Sequence, residues 1–477
     1  MARISTLLAL WVIAAIHRLE IVQQAILSSD ALGPYLQAQA LLFGHIPRPP
    51  NPESGDALWL LAVPLVALSD NLHELFTLRF IVGASVAPLA FLGAWHWTDE
   101  TANPIRRWAA AVAAGLFATF DPGLLDTLIS GARSYGAPEL IGVSMVGIAM
   151  GMKGHPWALP MAIISGVLAA GHHPLALGVF LGVIPLLPRL HRELGGRVLR
   201  LSFILGLITA GPRLYRIAAL AFCGEGIGPC IAKVARSNVT EPEAWNTMLT
   251  KALHDRWLVD LGAGTWILMA GVVALLFCRF SEHRKASHFA LWATTGVLIL
   301  GALNGYIRSY HLRVLAVPFA VAAGMGLARV WPLAVLATGV FAFRSLPLIP
   351  VGPDPGAIAR HDQVANHIEA GPVWVDRVWW DGPLKLDPSG VVLSGWMSGR
   401  RDFALTTTGP MVILQSGTQP GPQPVMEGPG WAILQFDSTL RARAWLNQQN
   451  RLPHQSGGAY DWATIAQPNT RLEDARW

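Results

Sequence analysis

The sequence predicts a mostly α protein: a polytopic helical membrane bundle of about 11 spans, followed by an extracytoplasmic α/β domain. Three observations predict it. Of 477 residues, 52% are hydrophobic and only 14% are charged, with a mean hydropathy of +0.42; soluble domains carry charge on about a quarter of their residues. Apolar stretches near membrane-spanning length recur from residue 3 to residue 346. After residue 347 the pattern changes to a Pro-rich run, PLIPVGPDPG, and then to short strand-like segments. This balance excludes a disordered chain, a secreted disulfide scaffold and an ordinary cytosolic enzyme.

Each element follows in order. Apolar stretches occupy 3–17, 77–95, 108–120, 138–152, 157–188, 199–220, 262–279, 288–304, 313–329 and 331–346. Gly171-His172-His173-Pro174 breaks the fifth stretch into a hairpin of two short helices, which brings the count to 11. Leu58–Ser69 is too short to span and is followed by Asp70, Asn71, His73 and Glu74, so it reads as a half-inserted or interfacial helix. Residues 4–16 resemble a signal core, but Arg18 and Glu20 follow with no small-residue cleavage site, so the first helix is expected to be retained. Arg18 and Glu20 are expected to snorkel at the outer interface.

Charge sets the orientation. Arg106 and Arg107, then Arg189, Arg192, Arg197 and Arg200, then Arg279, Arg284 and Lys285 place nine basic residues in three loops on one side. The opposite short loops offer four: Arg48, Arg133, Arg308 and Arg313. The positive-inside rule then places the N-terminus in the cytoplasm and, after an odd number of spans, the C-terminus outside. The net charge of +5, carried by 30 Arg against 5 Lys, belongs to this loop bias and to lipid headgroups, with no nucleic-acid partner.

Residues 1–346 thus form a transmembrane domain with outer loops 28–56 and 213–261, and 347–477 form the extracytoplasmic domain. In the tail, PVWVD, GVVLSG, MVILQSG and WAILQF read as strands, alternating with helical stretches near 356–369 and 438–449. The tail holds eight of the 19 Trp, which suggests one face resting on the membrane, the bundle or protein partners. No internal repeat is visible, which argues against a transporter built from two related halves. Cys223 and Cys230 share the large outer loop, where they are either a disulfide or two thiols.

Charged groups at membrane depth are functional candidates by default. Asp30 stands just past the first helix, before the amphipathic stretch Tyr35–Phe43. Two readings remain open for it: a helix N-cap after Ser28-Ser29, or a general base at the membrane surface. His172 and His173 are either a turn lined by hydrogen-bonded imidazoles or a relay or metal pair, though adjacent helical residues do not face each other. Asn238-Val239-Thr240 is a formal glycosylation sequon, meaningful only in a eukaryotic secretory compartment. The Arg-, Ala- and Pro-heavy composition suggests a bacterial inner membrane instead.

Asp30 with Tyr35-Leu36-Gln37-Ala38, Phe120-Asp121-Pro122-Gly123, the run Ser130 to Glu139 and the run Tyr306 to Pro318 together resemble the GT-C class of integral membrane glycosyltransferases. Asp30 is followed by Tyr35-Leu36-Gln37-Ala38 and by Gly- and Pro-rich residues. Phe120-Asp121-Pro122-Gly123 and the run Ser130 to Glu139, with Arg133, Ser134 and Tyr135, are similar to the second outer loop of that class. Glu139 falls near its second acidic position, whereas the first is Gly136. Tyr306 to Pro318, with Arg308, His311 and Arg313, resembles the late Arg-Leu-x-x-x-Leu-x-Pro segment. Ser237 to Trp245, with Glu241, and Val378-Trp379-Trp380-Asp381-Gly382 resemble elements of the oligosaccharyltransferase catalytic subunit, the second without its Tyr.

The resemblance implies an enzyme that moves a sugar from a polyprenyl-phosphate or polyprenyl-diphosphate carrier to an acceptor on the outer face. It implies Asp30 and Glu139 as catalytic carboxylates. Tyr35, Arg133, Tyr135, Arg308, His311, Arg313 and Glu241 would bind substrate. The resemblance fixes no cofactor; a divalent metal stays open but disfavoured, since it would need the acidic pair that Gly136 breaks. A non-catalytic membrane subunit with the same fold is the alternative, and a transporter the third.

Overall fold

The computed structural model describes residues 2–24, 72–98, 103–121, 136–173, 175–221, 271–273, 281–303 and 309–345, a few single positions between them, and five strands within 373–436. The helices are α1 (Ala2–Gln24), α2 (Leu72–Gly83), α3 (Val86–Trp97), α4 (Pro104–Thr119), α5 (Ala137–Gly151), α6 (Ala158–His172) and α7 (Ala176–Val179). After them come α8 (Leu187–Ala221), α9 (Ser281–Leu303), α10 (Ala316–Leu327) and α11 (Trp331–Ser345). Among the described residues, four helical stretches are long and apolar enough to cross a membrane: Ala2–Leu19, Leu78–Trp97, Ala176–Gly211 and Leu312–Phe343. Shorter apolar helices, Ala137–Gly151 and Ala158–His172, pack beside them. Of the other expected spans, 108–120 is α4, 288–304 is described up to Leu303 as α9, and 262–279 lies outside the described residues apart from 271–273.

Local sequence explains the boundaries. Asn103 caps α4 by accepting a 2.9 Å hydrogen bond from the Ile105 amide, and Pro104 takes the first-turn position that needs no N–H. Gly195 (φ 75°) breaks α8, separating a short Arg-rich segment from an apolar helix that begins near residue 199, as the composition suggests. The 171–174 break is a hairpin, but its second limb is α7 followed by a 3₁₀ helix, Phe180–Leu186, with Pro185 inside it. Proline removes an amide donor there, which disfavours a regular α-helix.

Packing is inside-out relative to a soluble protein. The interior is lined by small residues, including Ala87, Ala90, Ala111, Ala114, Ala162 and Ala323, all fully buried. Ile4, Leu8, Val12 and Ile16 on α1, and Leu333, Leu336, Val340 and Phe343 on α11, face outward. Without water, helices gain from close approach, and small residues permit it. Gly178 and Gly296 lie backbone to backbone where α7 meets α9; a β-carbon on Gly178 would stand 2.7 Å from the Gly296 carbonyl oxygen. Gly178→Ala is therefore expected to destabilise the protein by about 1–3 kcal/mol through overpacking. A thermal midpoint in detergent equal to that of the wild type would show that the contact yields.

The antiparallel order of the helices gives the bundle two distinct ends. At one end the Trp95 ring has two guanidinium groups near it, Arg3 at 5.2 Å and Arg107 at 4.2 Å from its centre, and Arg107 donates to the Trp95 carbonyl at 3.2 Å. From there α1 and α4 run in parallel toward the other end, with Leu10 close against Gly115 midway. Helix α10 returns antiparallel to α4, bringing Gly324 against Ala110 and Ala114. The chain reverses through the 3₁₀ turn Ala328–Val330, and α11 brings Phe341 back to Phe117, with ring centres 5.1 Å apart. The stretches 313–329 and 331–346 therefore form two antiparallel helices.

In the tail all four expected strands form: β1 (Val373–Val375), β2 (Val392–Ser394), β3 (Met411–Ser416) and β5 (Trp431–Phe436). The structure adds β4 (Met426–Gly428), which the sequence reading missed. The sheet order is β2-β1-β3-β5-β4. Strands β2, β1 and β3 are parallel, while β5 pairs antiparallel with β3 and β4. The helical stretches expected between strands lie outside the described residues.

Candidate functional site

The end of the bundle remote from Trp95 gathers charge that membrane-depth burial ordinarily excludes. It comprises His17 and Arg18 on α1, Arg79 on α2, Asp121 after α4, Glu139 on α5, His172 and His173 closing α6, and Arg313 in the 3₁₀ helix Ser309–Leu315. Arg18 and Arg313 are each 1% exposed, which makes them the largest fully buried side chains described. Arg18 therefore does not snorkel as expected. It turns into the bundle, because α1 presents Leu10, Ala14, Ala15 and Arg18 to its neighbours and its large apolar residues to the surroundings.

One part of the site is built around Gly136. This residue adopts φ +93°, a conformation that favours glycine, and starts α5 with no side-chain cap. One turn on, Glu139 sits where a carboxylate complements the helix dipole. Its Oε1 accepts a hydrogen bond from Arg79 Nη2 at 3.3 Å, with the two side chains 15% and 8% exposed. Glu139 Oε2 is buried and has no hydrogen-bond partner among the described residues. A β-carbon on Gly136 would stand 2.8 Å from His172 Cε1 and 3.2 Å from Arg79 Nη2. A carboxylate side chain could not fit at position 136. That position supplies a divalent metal with no donor, and an arginine already faces Glu139, so these residues do not suit a metal ion.

The second part lies beside α1 and α4. The His17 ring sits 5.2 Å from that of Phe120. Asp121 is buried and accepts a 3.2 Å hydrogen bond from the Leu124 amide, while its charge acts on Arg313. The short helix bearing Arg313 packs against α5, whose first turn carries Glu139. Of the residues expected from sequence, Glu139 and Arg313 are thus brought to the same end of the bundle. His311 belongs to that same 3₁₀ helix. Asp30, Tyr35, Arg133, Tyr135, Glu241 and Arg308, like Cys223 and Cys230, lie outside the described residues.

The histidine pair divides. His173 accepts a 3.2 Å hydrogen bond from the Leu175 amide at Nδ1, the expected hydrogen-bonded turn. His172, 1% exposed, instead lies against Gly136, on the same space that Arg79 borders. Sequence reasoning missed Arg79 as a site residue, although a signal was present: a lone arginine inside Leu75-Phe76-Thr77-Leu78-Arg79-Phe80-Ile81-Val82.

A helical bundle with outward apolar faces and a buried charged cluster at one end defines an integral membrane protein. The chain matches no protein family and no curated protein by sequence. Its fold is that of ArnT from Cupriavidus metallidurans. The apo structure of that protein superposes with a TM-score of 0.55 at 12% identity, over 91% of this chain and 98% of that one. ArnT bound to undecaprenyl phosphate superposes with a TM-score of 0.55 at 13% identity, over 90% and 97% of the two chains.

Proposed function

We propose that this protein transfers a glycosyl group from a polyprenyl-phosphate or polyprenyl-diphosphate carrier to an acceptor on the outer face of the membrane. The observation that carries the reading is the charged end of the bundle, where buried Arg18, Arg79 and Arg313 stand with Asp121 and Glu139. It occurs on a fold shared with ArnT, a protein solved with undecaprenyl phosphate bound. That fold is the kind expected from the GT-C resemblance. The oligosaccharyltransferase-like elements lie outside the described residues, and the proposal stays at the level of the class.

The chemistry needs few parts. Asp30 takes the proton of the acceptor as its oxygen or nitrogen attacks the anomeric carbon. The bond from that carbon to the phosphate oxygen breaks, and the carrier phosphate leaves with the bonding electrons. Arginine is suited to meet that growing charge, because its planar fork makes charge-assisted hydrogen bonds to phosphate oxygens. Arg313 has this role, alongside Arg308. Glu139 is the second acidic residue and holds Arg79. Tyr35, Arg133, Tyr135, His311 and Glu241 are assigned to binding donor and acceptor.

The end with Arg3, Trp95 and Arg107 is the cytoplasmic one in this reading, and the tail is periplasmic in a bacterial inner membrane. Reporter fusions at Ser281 and Gly356 then give opposite signals; equal signals would sink the topology. Gly136 alone favours a non-catalytic subunit, but Arg79 already supplies a cation there. The direct test is carrier binding. Arg313→Ala is expected to weaken binding of undecaprenyl phosphate to the protein in nanodiscs by roughly tenfold or more, the loss of a charge-assisted hydrogen bond. Unchanged affinity would remove Arg313 from the site.

A further inference from the structure

His172 has no part in the transfer chemistry just described, yet its imidazole is buried beside Gly136, next to the space that the Arg79 guanidinium also borders. A β-carbon on Gly136 would stand 2.8 Å from His172 Cε1, 3.1 Å from His172 Nδ1 and 3.2 Å from Arg79 Nη2. Imidazole and guanidinium therefore share the space that any larger residue at 136 would claim. The left-handed φ of +93° reserves that position for glycine on independent grounds. Three helices converge here: α2 brings the arginine, α5 the glycine and the glutamate, and α6 the histidine at its C-terminal end. An arginine on α2 alone is a long side chain with many rotamers, and it presents a fixed cation only when its surroundings confine it.

We propose that His172 is a positioning residue: its ring fills the space beside Gly136 and confines the Arg79 guanidinium to its contact with Glu139. The functional half of this inference rests on the reading above, in which Arg79 belongs to the phosphate-binding end of the bundle. The geometric half does not. On this view the absence of an acidic side chain at position 136 leaves the site complete, since glycine makes room for the imidazole that holds the cation in place.

The test is a mutant cycle on the full-length chain in nanodiscs, with undecaprenyl phosphate as the probe. His172→Ala is made in the wild type and in an Arg79→Gln, Glu139→Gln background, where neutral amides replace the ion pair and no buried charge is stranded. In the wild type, His172→Ala is expected to lower probe affinity roughly tenfold, a mid-range coupling between neighbouring side chains. In the amide background the same change is expected to alter affinity less than about twofold, because there is no guanidinium left to position. His172→Gln, which keeps a polar planar group, is expected to recover most of the affinity.

Affinity unchanged by His172→Ala, while the amide pair lowers it, would overturn the proposal. So would an equal loss in both backgrounds, since a histidine acting only on general stability is indifferent to Arg79. If the amide pair binds the probe as the wild type does, the phosphate-binding reading of Arg79 is what fails. The thermal midpoints of the same four proteins then decide the positioning role. Shifts that fail to add support it, and additive shifts overturn it.

Discussion

Glu139→Ala is expected to destabilise the protein by about 3–5 kcal/mol, the usual cost of removing one partner from a buried ion pair. The pair is Arg79 Nη2 to Glu139 Oε1 at 3.3 Å, and Arg79 is 7% exposed between packed helices. Truncation strips the guanidinium of the carboxylate that faces it in a medium with little water to replace it. It also removes the negative charge in the first turn of α5. Replacing both residues by leucine is expected to recover most of the stability, because a buried pair exchanged for apolar volume is often neutral. That double variant would be stable but inactive in the proposed reaction. Thermal unfolding in detergent reads both effects. A Glu139→Ala midpoint within about a degree of the wild type would show that the pair holds nothing together.

The second large effect is catalytic. Asp30→Asn is expected to cut glycosyl transfer by about 10²–10⁴-fold, the usual contribution of a general base, while leaving the fold intact. The amide keeps the shape of the carboxylate and its capacity to cap a helix, so a purely structural Asp30 would tolerate the change. Undecaprenyl phosphate binding is expected to stay near the wild-type value in Asp30→Asn and to fall in Arg313→Ala. This split separates activation of the acceptor from recognition of the carrier. Full activity in Asp30→Asn would return this residue to the role of a cap and favour the non-catalytic reading.

The two effects depend on different levels of the protein. Glu139 matters through what it touches, which is Arg79, 60 positions away in sequence. Asp30 stands out by its place after the first apolar helix, legible in the sequence alone. Arg313 was legible both ways, as part of a Leu-Arg-Val-Leu segment and as one of the most deeply buried side chains.

Composition and apolar spacing by themselves determined that this is a membrane bundle with a strand-bearing tail. They also located the hairpin at residues 171–174 and the reversal between α10 and α11. These properties are local, because a backbone in lipid must satisfy its hydrogen bonds within the segment, so each helix leaves a continuous apolar stretch. The four strands of the tail were legible for a related reason, being short runs rich in Val, Ile and Leu between turn residues. The fifth, Met426–Gly428, was not: three residues carry no period, and only pairing with β5 makes them a strand.

What only the tertiary structure decided is which charges lie inside. Arg18 stands beside Leu19 and Glu20 at the end of an apolar helix, and nothing in that order distinguishes snorkelling from burial. The choice was made by the face that α1 turns toward its neighbours. Arg79, His172 and Gly136 are far apart in the chain, and their relation appears only when α2, α5 and α6 meet at one end. A sequence records the cost of each buried charge, but the partner that offsets the cost is set by packing between helices.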